Sequence, residues 1–114
     1  MMIENIIRTP GGIRFLDWEY SAASDYRFDL AMLCMKAALN EKEEEIFLGA
    51  YGIKDYDKLQ QIKRMKAVVA LREAAWGVVQ LATAKIPYNY RKYAEDHFII
   101  FRKLTRAQGN VEYR

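Results

Sequence analysis

The sequence is short of the residues that cross-link, ligate metals or interrupt a chain. Its one cysteine, Cys34, cannot form an internal disulfide, and on an apolar helix face it reads as inert packing. His97 is the only histidine. It gathers no metal cluster and no Ser-His-Asp arrangement around it, and reads as a partly buried structural residue. With 6 Gly and 2 Pro the chain is neither collagen-like nor a flexible linker, and it shows no internal repeat or low-complexity stretch. No apolar run reaches membrane-spanning length and no signal-peptide pattern opens the chain, so a reduced, cytoplasmic protein without a membrane span is expected. An excess of one sign of charge is missing too. Lys+Arg 18 against Asp+Glu 15 leaves a net charge of +3, and the acids are interspersed among the bases, which argues against a nucleic-acid surface.

What remains is 52% hydrophobic and 29% charged residues in 114, the balance of one globular domain with one modest core. Ile6-Ile7 and Ile13-Arg14-Phe15-Leu16 flank the breaker cluster Pro10-Gly11-Gly12, which predicts a β-hairpin ending at Asp17. Apolar and small residues at helical spacing predict a first helix over residues 28–39, with Asp29 favouring its amino-terminal end. Asn40 caps a second helix that starts acidic and closes at Gly52, with Ile46, Phe47, Ala50 and Tyr51 as its buried stripe. Asp55 or Asp57 starts a long helix running to about Lys85, with Leu59, Ile62, Met65, Val69, Trp76 and Val79 near one face. Pro87 stops it. A final helix over residues 89–107 carries Tyr90, Tyr93, His97, Phe101 and Leu104 at three- and four-residue steps, before a polar tail over 110–114. The acidic run from Glu41 to Glu45 reads as a solvated helix start, and Lys63, Arg64 and Lys66 as the exposed side of the long helix.

The sequence predicts a mainly α fold with a short amino-terminal hairpin. The hairpin is the anomaly, because two strands with no further sheet to join are marginal in water. At its end, Asp17 leaves an apolar strand and faces whatever lies beyond. Two roles suit an acid there. It can bond loop amides, or it can ligate Mg²⁺, which takes oxygen donors and needs only one or two protein carboxylates. Asn5, before the hairpin, could add a neutral oxygen or cap a turn.

Several fragments in order narrow these choices. Glu4-Asn5-Ile6-Ile7, then Gly12-Ile13-Arg14-Phe15-Leu16-Asp17-Trp18-Glu19-Tyr20, then Asp25 and Phe28-Asp29-Leu30-Ala31 resemble the metal-binding half of the choline/ethanolamine kinase branch of the aminoglycoside-phosphotransferase-like kinases. Glu73-Ala74-Ala75-Trp76-Gly77-Val78-Val79-Gln80 is similar to the tryptophan-glycine segment that lines that family's choline pocket. Tyr90-Arg91-Lys92-Tyr93-Ala94 with Phe98 resembles its last helix.

The resemblance implies a partial protein-kinase-like fold. Residues 1–114 would form the helical carboxy-terminal lobe as one domain, with a metal-loop hairpin over 1–20 and a helical part over 28–107. It implies Asn5 and Asp17 as metal ligands, and Glu19, Tyr20, Trp76 and Tyr93 on the substrate side. The aromatic faces would receive a quaternary ammonium, which offers no hydrogen-bond donor on nitrogen. Trp76 and Tyr93 also suit plain helix–helix packing. Family members use Mg²⁺ and ATP. In their His-x-Asp loop an Asn follows the Asp by five positions, so if that Asn is Asn5 the general base falls one place before Met1. No catalytic residue is then expected within this chain. Nothing in it corresponds to the nucleotide lobe, and the isolated chain is expected to be inactive. Val79 stands where the family often has a second tryptophan, and Lys36 near where some members carry an acid. Ethanolamine, thiamine or an amino sugar therefore stay open as substrates beside choline. A rival expectation is a non-catalytic helical binding or oligomerisation module, because a lone lobe exposes an apolar face that a missing amino-terminal lobe or a second copy would cover.

Overall fold

The computed structural model describes residues 3–16 and 23–109. A short 3-10 turn, Ile3–Asn5, leads into two strands, β1 (Ile6–Thr9) and β2 (Gly12–Phe15), and four helices follow: α1 (Tyr26–Lys36), α2 (Glu41–Tyr51), α3 (Tyr56–Thr83) and α4 (Tyr90–Gly109). The fold is mainly helical with a two-stranded antiparallel hairpin. The chain divides into two compact units, Met1–Ile62 and Lys63–Arg114.

In the first unit the hairpin register runs from Ile6 opposite Phe15 to Thr9 opposite Gly12, with Pro10-Gly11 at the tip. Pro10 presets φ for the turn, and Gly12 returns the chain to the strand at φ 111°, where a Cβ would be strained. Thr9 Oγ1 donates to the Gly12 carbonyl at 2.7 Å. Ile7, Ile13 and Phe15 are exposed, leaving the hairpin little apolar burial of its own.

α1 begins two residues earlier than the periodicity predicts, because Asp25 supplies the cap. Its carboxylate accepts the Arg27 backbone N–H at 3.0 Å and the Arg27 Nε–H at 2.8 Å. Those hydrogen bonds hold the Asp25 carboxyl below its usual range. Asp29 sits in the first turn as expected. The helix stops at Lys36, short of 39, and Ala38 takes φ 51° just beyond. Arg27 also reaches Gln61 Oε1 at 2.8 Å, tying the start of α1 to the first turns of α3.

Asn40 and Gly52 bound α2 as the sequence predicts. Asn40 Oδ1 accepts the Glu43 N–H at 2.9 Å while Glu43 Oε2 accepts the Asn40 N–H at 2.9 Å, a reciprocal capping box. Gly52 closes the helix at φ 110°. The predicted buried stripe is wrong: Ile46, Ala50 and Tyr51 are exposed and Phe47 is half-buried, while Glu44 and Leu48 are buried. Three consecutive apolar residues, Ile46-Phe47-Leu48, wrap most of a turn, so spacing alone cannot choose among them. Tyr51 stacks on Tyr26 at 6.1 Å instead of entering the core. Buried apolar residues of this unit include Leu30, Ala31, Met32, Cys34, Leu48, Ile53 and Ile62.

α3 starts after Asp55, whose side chain accepts the Asp57 N–H at 2.8 Å, and ends two residues before Lys85. At 28 residues it is about 42 Å long. In the second unit its buried positions are Ala67, Val69, Ala70, Glu73, Ala74 and Gly77, whereas Trp76 and Val79 lie outside the stripe and are exposed. The buried face is therefore built mostly from small residues, which let another backbone come close. That backbone belongs to α4. A Cβ on Gly77 would stand 3.0 Å from Ala94 Cβ and 3.1 Å from its backbone nitrogen. α4 begins after Asn89, whose Oδ1 accepts the Lys92 N–H at 3.0 Å. The expected tail over 110–114 lies outside the described residues.

Among the described residues no helix is long and apolar enough to cross a membrane.

Candidate functional site

Two places carry the candidate residues, one in each unit. In the first, Asn5 ends the 3-10 turn and its carbonyl accepts the Leu16 N–H at 2.7 Å, extending the hairpin pairing by one step. That bond fixes Asn5 beside the residue that precedes Asp17. The other predicted residues of this region, Asp17, Glu19 and Tyr20, lie outside the described residues. Among the described residues, no group of three or more His, Cys, Asp or Glu side chains could hold a metal. An amide and a single carboxylate are both hard oxygen donors, however, and Mg²⁺ asks no more of a protein where phosphates and water complete its shell.

The second place is the α3–α4 crossing, where the structure brings Trp76 and Tyr93 together. Gly77 allows the close approach, and Trp76, one residue before it, meets Tyr93 edge-to-face with ring centroids 5.4 Å apart. Tyr90 meets Trp76 at 5.9 Å, and Tyr88 meets Tyr90 at 5.2 Å and Tyr93 at 6.4 Å. Trp76 (41%) and Tyr88 (64%) remain exposed, so the four rings form a cluster open to solvent rather than a sealed core.

Beneath it lies Glu73, only 4% exposed. A carboxylate so deeply placed requires partners, and two flank it: Arg72 Nη1 donates to Oε1 at 2.6 Å, and the Tyr93 hydroxyl donates to Oε2. Burial, and then this bond to Glu73, push the Tyr93 hydroxyl well above the usual tyrosine range, so it stays protonated as a donor. His97 is buried one turn further along α4 and packs tilted against Tyr93 at 4.2 Å. Its Nδ1 lies 2.7 Å from the Tyr93 carbonyl, which can only accept, so Nδ1 carries a proton. These contacts lock the Tyr93 ring.

Sequence reasoning selected Trp76 and Tyr93 and read His97 as a partly buried structural residue, as its packing on Tyr93 bears out, but missed Glu73, Tyr88 and Tyr90 as companions of the two rings. A signal for Glu73 existed. It falls on the i, i+3, i+4 stripe of Ala70, Ala74 and Gly77, and an acid on an otherwise apolar stripe needs a reason. Tyr88 precedes the helix and carries no periodic signal.

No family model matches the chain, and no solved structure matches it. Two curated proteins are similar to it. One, named Protein LicA homolog, from Metamycoplasma hominis, is 48% identical over 48 residues, covering 42% of this chain and 19% of that protein. The other, also named Protein LicA homolog, from Mycoplasma capricolum subsp. capricolum, is 42% identical over 101 residues, covering 89% of this chain and 40% of that protein. The chain thus spans well under half the length of either relative. The longer match takes in most of the chain, and so does not single out one of the two candidate places.

Chemically, the open ring cluster over a buried carboxylate suits a small cation with methyl or methylene groups. Ring faces attract such a cation without hydrogen bonds, and the carboxylate supplies the opposite charge.

Proposed function

We propose that this chain is the helical substrate- and metal-binding lobe of an ATP-dependent small-molecule kinase, akin to the choline/ethanolamine kinases. The reaction is phosphorylation of a hydroxyl on choline, ethanolamine or a similar amino alcohol. One observation carries the reading. Trp76 and Tyr93, far apart in sequence and both implied on the substrate side by the resemblance, meet within 5.4 Å beside the buried Glu73.

In this reading the second unit binds and orients the substrate. The rings of Trp76, Tyr88, Tyr90 and Tyr93 receive the ammonium end and exclude water from one side of it. Asn5 and Asp17 would hold Mg²⁺, which supplies charge neutralisation of transferring phosphates. Glu19 and Tyr20 follow on the substrate side. The proton acceptor and the groups that would hold the nucleotide are not among these residues.

The test is a nuclear magnetic resonance titration of the chain with choline chloride and, separately, with Mn²⁺. Choline at millimolar concentration is expected to shift the Trp76 indole N–H, and Mn²⁺ to broaden the Asn5 side-chain amide in the wild type but not in Asp17→Asn. Silence in both titrations would refute the reading.

A second reading has its own support. On α3, Val68, Leu71, Val78, Val79 and Leu81 are all exposed, an apolar face of the kind a binding or oligomerisation module presents. A chain that elutes as a dimer and ignores both choline and Mn²⁺ would favour it.

A further inference from the structure

Glu73 has no role in the sequence reading, yet it is the most deeply placed charge at the α3–α4 crossing, with 4% of its surface exposed. Arg72 holds Oε1 from a side chain that is itself 54% exposed, while Tyr93 holds Oε2. The ion pair is therefore polarised, with its positive end in water and its negative end against the Tyr93 hydroxyl. A phenol donating to a carboxylate gains electron density on its ring, and a ring richer in electrons attracts a cation more strongly. Tyr93 is also the hub of the cluster, since Trp76, Tyr88 and His97 all pack on it.

We infer that Glu73, acting through the Tyr93 hydroxyl, is the positioning and charge-selecting residue that makes this aromatic cluster prefer a cationic ligand over a neutral one of the same shape. The inference rests on the substrate-side reading of the cluster given above.

The test compares two ligands of one shape. Choline and its neutral carbon isostere, with a tert-butyl group in place of trimethylammonium, are titrated separately into the full 114-residue chain, following the Trp76 indole N–H. The wild type is expected to prefer choline by about tenfold. Glu73→Gln keeps an acceptor for Tyr93 and frees Arg72 into water, so the fold should survive. It is expected to cut that preference to about threefold or less, with isostere affinity unchanged within about twofold. A purely structural role would weaken both ligands together.

Each alternative outcome overturns something specific. If Glu73→Gln keeps the wild-type preference, or weakens both ligands equally, the inference fails and the substrate-side reading stands. Equal affinity of the wild type for both ligands also sinks the inference while leaving the cluster as a binding site. If the wild type binds neither, the reading and the inference fall together. Should Glu73→Gln lose its helical circular dichroism, Tyr93→Phe decides, because it keeps the ring and removes the link. About a threefold loss for choline alone is expected, and an unchanged preference would refute the route through the ring.

Discussion

Gly77 offers the sharpest test of how the second unit is held together, because two known effects pull in opposite directions there. In an exposed helix interior, Gly→Ala stabilises by about 1 kcal/mol, through backbone entropy and solvation. At Gly77 the added methyl would stand 3.0 Å from Ala94 Cβ, 3.1 Å from its backbone nitrogen and 3.2 Å from its Cα. Carbon atoms in good contact lie about 3.5–4.0 Å apart, so α4 must retreat by roughly half an ångström or more. Two of the three obstacles are backbone atoms, so rotating a side chain cannot relieve the contact. Overpacking of this kind costs about 1–3 kcal/mol, which outweighs the propensity gain in most of that range and leaves Gly77→Ala destabilised by up to about 2 kcal/mol. Thermal and urea denaturation followed by circular dichroism would measure it, with a fall in Tm of several degrees expected. A double-mutant cycle with Ala94→Gly should show favourable coupling, because the variant methyl then loses its nearest obstacle while the backbone clash remains. Stabilisation of Gly77→Ala by about 1 kcal/mol, the value for a solvated helix position, would refute the close crossing.

Two further expectations concern local chemistry. Asn40→Ala removes the side-chain half of the capping box on α2, the Oδ1 that accepts the Glu43 N–H, while leaving the backbone N–H that Glu43 accepts, and should cost about 1 kcal/mol, read as a lowered urea midpoint with an unchanged slope; a changed slope would point instead to altered compactness. Tyr93 supplies a pH dependence whose sign follows from burial and the Glu73 bond, which raise its folded value. Its contribution is complete below about pH 10, where the unfolded tyrosine is still protonated. Above that the unfolded chain ionises first, so stability falls as pH rises. The stability advantage of the wild type over Tyr93→Phe should therefore shrink between about pH 10 and 12. An advantage that is flat or grows would contradict the Tyr93–Glu73 contact.

The features legible in the sequence share one property: their partners lie within a few residues. Asn40 before α2, Gly52 after Tyr51 and the Pro10-Gly11-Gly12 breaker are each settled by backbone groups satisfied locally, and each stands where the sequence predicts. The first helix shows how narrow that margin is. Asp25 and Asp29 are both acids near its start, and only the Arg27 hydrogen bonds make Asp25 the cap and move the boundary. The buried stripe of α2 was not legible, because Ile46, Phe47 and Leu48 are equally apolar and only the surrounding unit selects Leu48.

The candidate site divides along the same line. The sequence by itself determined a mainly helical chain with an amino-terminal hairpin, since residue types and local spacing carry that information, whereas the rings Trp76 and Tyr93 and the oxygen donors Asn5 and Asp17 entered as candidates through a family resemblance. Only the tertiary structure decided that Trp76 meets Tyr93, Tyr88 and Tyr90 in an open cluster and that a buried carboxylate joins them. Glu73 and Tyr93 are twenty positions apart on different helices. What brings them into hydrogen-bond contact is the approach of two backbones at Gly77 and Ala94, which depends on the absence of a side chain at one and the smallness of the other. Helical periodicity states which residues share a face of one helix; it holds no term for the distance to the next, and that distance is what set an acid on an apolar stripe against the Tyr93 hydroxyl.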